Sequence, residues 1–437
     1  MNDRRSGPRR LLDRLRRRGP ARADETLHQL VTGLLGRHDT MSQRADAAAV
    51  AERYVALDDP GRLEFLHVLA RDFWTDPDAV AGAIAAVTSA TAELDRRFAQ
   101  MRLRATLTPA AAQLLHLFTG IDDGVKLLVD LRADVLRLGG DDPELALLDA
   151  ELQAHLATLF DVGLLELRRI TWEAPAALLE KLIEYEAVHA IDSWADLKNR
   201  LDSDRRCYAF FHPAMPAEPL VFVEIALTRG MAIDLAPLLD EDAPRIEAEQ
   251  ADTAIFYSIS NCQPGLAGVN LGNALIKQVV DELGHDLPRL SKFATLSPVP
   301  GFRRWLETAL HGELTPRERE LLPAEPDRVL ARLADTSWQA DEAIRPALLA
   351  LCARYLTTTV DGRALDPVAN FHLANGAAVE RVNWAADPSP VGHERSAGIM
   401  ANYVYEPDRI AARAEAYATC GEVAMSNDVR ELCEWRS

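Results

Sequence analysis

The chain reads as an α+β protein, with an all-α amino-terminal half followed by a half in which helices and strands mix around a sheet. Two observations predict this. From Asp24 to about Phe160 apolar residues recur at helical spacing, and no strand-like alternation interrupts them. From about Cys207 onward, short β-branched and aromatic runs bounded by turn residues appear between helical stretches, in an antiparallel-leaning arrangement.

The 437 residues can bury a large core and divide into two or three domains. We place a basic arm at 1–23, a helical oligomerisation domain at 24–163 and a mixed-sheet catalytic domain at 164–437. In the helical part Leu145, Leu148, Leu152, Leu156 and Leu159 share one stripe, with Asp142 as N-cap and Pro143 at the first helical position. Asp58-Asp59-Pro60-Gly61 and Gly139-Gly140-Asp141-Asp142-Pro143 punctuate neighbouring helices. After Asp161-Val162-Gly163 the pattern predicts helices over 174–185 and 193–201. Strands follow over 207–211, 220–228, 254–260 and 293–296, with helices over 272–283, 302–310, 326–334 and 340–357. A strand pair at 378–384 and 398–405 and a helix at 410–418 complete the reading.

Composition bounds the function. A formal net charge of −19 argues against a nucleic-acid binder, whose footprint is basic, and no apolar run approaches the ~20 residues that span a bilayer. An anionic ligand therefore needs a local positive site. Five scattered cysteines without a Cys-x-x-Cys pair fit a reducing cytoplasm and no structural zinc. Arginine and alanine are abundant, as in a GC-rich bacterial genome. Residues 1–22 carry nine arginines against two aspartates, which reads as a mobile basic arm or as an organelle signal.

The stretch Thr253–Lys277, TAIFYSISNCQPGLAGVNLGNALIK, reads as strand, glycine-spaced turn and helix. Gly265, Gly268 and Gly272 let backbone approach something bulky, and a helix start offers free N–H groups to phosphate. Neither the nucleotide P-loop nor the dinucleotide Gly-x-Gly-x-x-Gly is present, which leaves a turn suited to a coenzyme A pyrophosphate. We assign coenzyme A to Gly265, Ala267, Gly268, Val269, Asn270, Leu271, Gly272 and Asn273, with Ser258 on the preceding strand lining the thioester or simply packed.

Two motifs hold the other candidates. In Leu296-Ser297-Pro298-Val299-Pro300-Gly301-Phe302 the prolines stiffen a turn at the end of a strand, so Ser297 is either a turn or N-cap residue or a reproducibly aimed hydroxyl. In Asp366–Ala377, DPVANFHLANGA, His372 stands among apolar residues before an Asn-Gly turn. Its ordinary pKa near 6.5 suits proton donation, although a lone histidine is also a common core residue. His212 has a similar setting. Tyr405 and Asn402, on a strand near the end, either contact the substrate or are ordinary strand residues. No His-Glu-x-x-His or Gly-x-Ser-x-Gly occurs, which argues against zinc and serine hydrolysis.

Together, the QPGLAGVNLGNALIK turn, FATLSPVPGF, FHLANGAAVERVNW and the tail SAGIMANYVY closely resemble the malonyl-CoA decarboxylase family, in order, over about 209–422. The resemblance implies an acetyltransferase-like catalytic domain, a tetrameric assembly, and catalytic roles for Ser297 and His372. It departs from the acetyltransferase superfamily's Gln/Arg-x-x-Gly-x-Gly/Ala, where this chain has Gln263-Pro264-Gly265-Leu266-Ala267-Gly268.

The expected reaction converts malonyl-CoA to acetyl-CoA and carbon dioxide through an enolate. The thioester carbonyl is the electron sink, so no metal or cofactor is expected. His372 donates the proton to carbon and Ser297 hydrogen-bonds the malonyl group. No nucleic acid or membrane partner is expected, and the location is the bacterial cytoplasm. The rival readings are an acyl-CoA-dependent N-acyltransferase and a catalytically silent acyl-CoA sensor.

Overall fold

A computed structural model describes residues 26–37, 39–269, 271–334 and 338–434. The basic arm at 1–23 and Asn270 lie outside them. Two compact units emerge. The first takes in the chain up to Glu166 together with Phe211–Leu220 and Cys262–Leu271; the second takes in Leu167–Phe210, Val221–Asn261 and everything from Gly272 on.

The first unit is built from the helices Leu27–Leu35, Thr40–Val55, Asp59–Asp72, Pro77–Ser89, Glu93–Thr106, Ala110–Thr119, Gly124–Leu138 and Pro143–Leu159. Five of these starts carry side-chain caps: Thr26 with Gln29 forms a capping box, and Asp39, Asp58, Asp76 and Asp142 each accept first-turn amides. The predicted leucine stripe is buried at Leu145, Leu148, Leu152 and Leu156, while Leu159 is half-buried. Helices Pro77–Ser89 and Glu93–Thr106 pack on each other and contribute almost nothing to the core, since Ala99 is their one buried residue. The sequence places a single boundary near 163, whereas two later pieces of chain also join this unit. The reason is close backbone packing: a Cβ at Gly265 would lie 1.9 Å from the Val129 carbonyl oxygen.

The second unit centres on an eight-stranded sheet. Its strands are β1 (Glu166–Ile170), β2 (Arg205–His212), β3 (Met215–Thr228), β4 (Thr253–Asn261), β5 (Lys292–Thr295), β6 (Ser297–Pro298), β9 (Ala378–Asn383) and β10 (Met400–Tyr405). A small ribbon, β7 (Thr359–Val360) with β8 (Arg363–Ala364), lies apart from it. The order is β1-β2-β3-β4-β5-β10-β6, with β9 along β10. Strands β4 and β5 run parallel, joined by the glycine turn and the helix Gly272–Asp286; β3/β4, β5/β10, β6/β10 and β9/β10 are antiparallel. β2 is buried along its whole length and β4 along nearly all of its length, which explains their continuous apolar runs.

One sequence expectation changes here, and one element is new. Ser297 is not on a free turn but on β6, opposite Ala401 of β10, while β5 pairs with Val404 and Tyr405 of the same strand. β6 thus continues the line of β5 past a break at Leu296, and Pro298 and Pro300 limit it to two residues because proline cannot donate to a ladder. His372 lies in the last turn of a helix, Pro367–Ala374, that the apolar pattern hides. The short helices Pro316–Leu321, Pro390–Ser396 and Asn427–Glu434, and strand β1, are likewise invisible to apolar periodicity.

Candidate active site

β5, β6, β10 and the helix Pro367–Ala374 bring the two motif residues together. Ser297 Oγ lies 3.1 Å from His372 Nε2 and 2.9 Å from Thr295 Oγ1, to which it donates. The other ring nitrogen, Nδ1, lies 2.8 Å from the Tyr405 hydroxyl. The imidazole stacks on Tyr403, with centroids 4.4 Å apart and an interplanar angle of 27°. Tyr403 and Tyr405 reach the same imidazole because residues two apart on a strand share a face.

Burial sets the electrostatics. His372 is 2% exposed, and loss of hydration drives its pKa down to about 3. This differs from the ordinary value expected from sequence: the ring is neutral near pH 7 and carries one proton. Burial also pushes the Tyr405 phenol well above its usual 10, so its proton stays in place and donates to Nδ1. The imidazole proton is then assigned to Nε2, directed at Ser297, whose own hydroxyl donates to Thr295 Oγ1. Thr295 Oγ1 also accepts from the Tyr403 amide at 3.2 Å. Donors run in one direction, from Tyr405 through His372 and Ser297 to Thr295.

The helix that carries His372 is capped by Asp366, whose Oδ1 accepts the Val368 and Ala369 amides at 2.9 Å each. The carboxyl is fully buried, and desolvation raises its pKa to about 6.

The glycine turn has neighbours that the sequence does not reveal. Gly265 abuts the Val129 carbonyl. Gly268, at φ 78°, abuts the Gln153 amide, where a Cβ would lie 2.6 Å from Nε2. Gly272 starts the helix Gly272–Asp286 against Phe371, where a Cβ would lie 2.9 Å from the ring. All three glycines therefore meet protein. The amides of Leu266, Ala267, Val269 and Leu271 donate to carbonyls within the turn. The helix Gly272–Asp286 begins at Gly272 and Asn273, and a first helical turn has no intrahelical acceptor for its amides.

Comparison with known proteins decides the family. Residues 163–436 match the malonyl-CoA decarboxylase C-terminal domain and residues 73–160 the N-terminal domain of the same family. The chain belongs to the malonyl-CoA decarboxylase family. It is 37% identical over 398 residues to mitochondrial malonyl-CoA decarboxylase of Anser anser anser, covering 84% of this chain and 79% of that one. Against the Mus musculus protein it is 36% identical over 401 residues, covering 85% and 81%. Solved malonyl-CoA decarboxylases from Rhodopseudomonas palustris and Agrobacterium vitis share 40% and 39% identity with TM-scores of 0.85 and 0.86. Each covers 93% of this chain, and 98% and 99% of their own.

Within this malonyl-CoA decarboxylase fold the remaining candidates have internal partners. Ser258 donates to both oxygens of Glu186, at 2.7 and 2.8 Å. Asn402 is fully buried; its Nδ2 donates to the Thr295 and Ala232 carbonyls, and its Oδ1 accepts from Asn383. His212 accepts from the Ala214 amide at Nδ1 and donates from Nε2 to the Leu159 carbonyl. It groups with the helical unit. His67, Asp142 and Glu144 bring possible metal-ligating atoms within 4.8 Å of one another, but His67 bonds Asp142 and Arg71 bonds Glu144. Sequence reasoning missed Thr295, Tyr403 and Asp366. Period-two spacing, Thr295 before Ser297 and Tyr403 before Tyr405, was the signal for the first two, and an Asp-Pro helix start was the signal for the third.

Proposed function

We propose that the chain decarboxylates malonyl-CoA to acetyl-CoA and carbon dioxide. The observation that carries this reading is the Ser297–His372 hydrogen bond, formed by the two family motifs in a chain matched by the family over most of its length. Loss of carbon dioxide leaves an enolate conjugated with the thioester, so the substrate is its own electron sink and no metal or cofactor is required. Ser297 hydrogen-bonds the malonyl group. The proton originates at His372 and reaches carbon through the Ser297 hydroxyl, since both ring nitrogens are engaged and Ser297 stands next to Nε2. Tyr405 passes its own proton to Nδ1 in the same movement, so the negative charge left by the departed carboxylate ends on the phenol oxygen, and one proton taken up from solvent returns Tyr405 and the ring to their starting state. A desolvated setting favours a reaction in which a carboxylate charge disperses. The Gly265–Asn273 turn and helix start are proposed to hold coenzyme A.

We further propose a homo-oligomer, on the largely exposed character of the helix Pro77–Ser89 and its neighbour. That helix has one charged residue, Asp78, and no buried one; the neighbour exposes Leu94, Phe98 and Met101 by 63%, 53% and 67%. Among the described residues no helix is long and apolar enough to cross a membrane. A bacterial cytoplasmic location is proposed on the five free cysteines and the bacterial solved relatives.

The test is purified protein with malonyl-CoA alone, followed by mass spectrometry in the presence and absence of EDTA. Acetyl-CoA appearing without an acceptor, at equal rate with the chelator, is expected. Turnover only with an added amine would favour the acyltransferase reading, and binding without turnover the sensor.

A further inference from the structure

The helical unit contains a buried cation that the reaction does not use. Arg132, on the helix Gly124–Leu138, is 2% exposed. Its NH1 donates to the carbonyl oxygens of Gly265 at 2.9 Å and Ala267 at 2.6 Å, and its Nε donates to Asp149 Oδ1 at 2.8 Å. The guanidinium thus grips two carbonyls of the glycine turn and is itself held by a half-buried carboxylate on the next helix.

The direction of those carbonyls has a consequence. In a trans peptide the carbonyl and the following N–H point opposite ways. Because the Ala267 carbonyl faces Arg132, the Gly268 amide hydrogen points away from it. A flip of this peptide would exchange the two and present a carbonyl where a donor stood. Glycine makes such a flip cheap, since positive and negative φ are about equally open to it. Opposite a phosphate, that exchange turns attraction into repulsion.

We infer that Arg132, anchored by Asp149, is a positioning residue for coenzyme A: it draws the Gly265 and Ala267 carbonyls inward and so keeps the Gly268 amide aimed at a pyrophosphate oxygen. The inference rests on reading the turn as the coenzyme A seat.

The experiment compares steady-state kinetics of the full chain on malonyl-CoA and on malonyl-pantetheine, a thioester with no pyrophosphate. Arg132→Met should raise KM for malonyl-CoA ~10-fold, the scale of hydrogen bonds to a charged group, with kcat within about twofold. Its kcat/KM on malonyl-pantetheine should stay within about twofold of wild type. Arg132→Lys should recover little, because an ammonium cannot reproduce the planar fork that joins the carbonyls to Asp149. Equal losses on both substrates, or an unchanged KM for malonyl-CoA, would overturn the inference. Should Arg132→Met fail to fold, Asp149→Asn keeps the guanidinium but frees it. It should raise KM for malonyl-CoA about threefold and spare the truncated substrate, and no selective effect would overturn the inference. Wild-type enzyme that does not prefer malonyl-CoA to malonyl-pantetheine would instead remove the coenzyme A reading of the turn itself.

Discussion

The Tyr405 hydroxyl lies 2.8 Å from His372 Nδ1, on the side of the ring opposite Ser297. The phenol is buried and keeps its proton, so it donates to the ring. Removing it leaves a buried imidazole nitrogen without a donor. Tyr405→Phe should therefore lower kcat by ~10-fold or more while KM for malonyl-CoA changes little, as checked by steady-state kinetics. An unaltered kcat would exclude Tyr405 from proton delivery.

Ser297→Ala and His372→Ala should each lower kcat by ~10²-fold or more and barely change coenzyme A affinity measured by calorimetry. The double variant should lose less than the two free-energy losses combined, because one line of hydrogen bonds serves both. His372→Asn should restore little, since an amide donates a hydrogen bond but does not relay a proton. His212→Ala should retain turnover, because its ring ties Leu159 to Ala214 and packs on Phe160, away from Ser297 and His372 in sequence and hydrogen bonding.

The pH dependence of stability has a definite sign. His372 has a folded pKa near 3, below its ordinary 6.5, so the unfolded chain binds its proton more tightly. The stability it contributes is complete above about pH 6.5 and is lost as pH falls toward 3. His372→Asn should flatten the urea-midpoint curve in that window; a curve parallel to wild type would contradict the burial argument. Asp366 runs the other way. Its pKa is raised from 3.8 to about 6, so its contribution is present below about 4 and lost as pH rises through 6. Asp366→Asn keeps an N-cap side chain and removes the charge. It should raise the midpoint at pH 8 and leave it nearly unchanged at pH 4.

The helix pair at 77–106 gives a separate prediction. Phe98→Glu with Met101→Glu places charge on the exposed apolar face without touching the core. Light scattering should show smaller particles at micromolar concentration while the far-ultraviolet spectrum is unchanged. Retention of the wild-type mass would place the interface elsewhere.

Gly272→Ala should reduce turnover through Phe371. The added methyl falls 2.9 Å from that ring, and Phe371 precedes His372 in the same helix. The loss should appear in kcat on malonyl-pantetheine as well as on malonyl-CoA, unlike the effect at Arg132.

Much of this was legible in the chain. Apolar periodicity marked the first half as helical and placed the leucine stripe of Pro143–Leu159, and continuous apolar runs located β2 and β4, because those patterns record burial directly. Ser297 and His372 were legible as candidates through their motifs. Their geometry was not. That His372 lies on a helix depends on an Asp366 cap and tertiary packing over only two turns, too short for periodicity to register. The lowered pKa of His372 arises from neighbours distant in sequence, which residue type cannot convey. The glycines were read as making room for a ligand; the structure adds that a Cβ at each would meet Val129, Gln153 or Phe371, and all three come from other parts of the chain. Arg132 was unreadable for the same reason: its carbonyl partners are 133 and 135 residues away.

The polarity of the hydrogen-bond line bears on which bond of the substrate survives. In a hydrolytic triad a carboxylate accepts from the histidine, which leaves a lone pair facing the serine and makes the hydroxyl a nucleophile. Here a phenol donates to the histidine, so the ring turns its proton toward Ser297 and has no basic nitrogen to offer it. A serine supplied with protons instead of stripped of them does not attack a thioester. Under the proposed decarboxylation, one reversed donor would supply the chemoselectivity: the carbon–carbon bond would be free to break, while the sulfur ester beside it would be carried intact into the product.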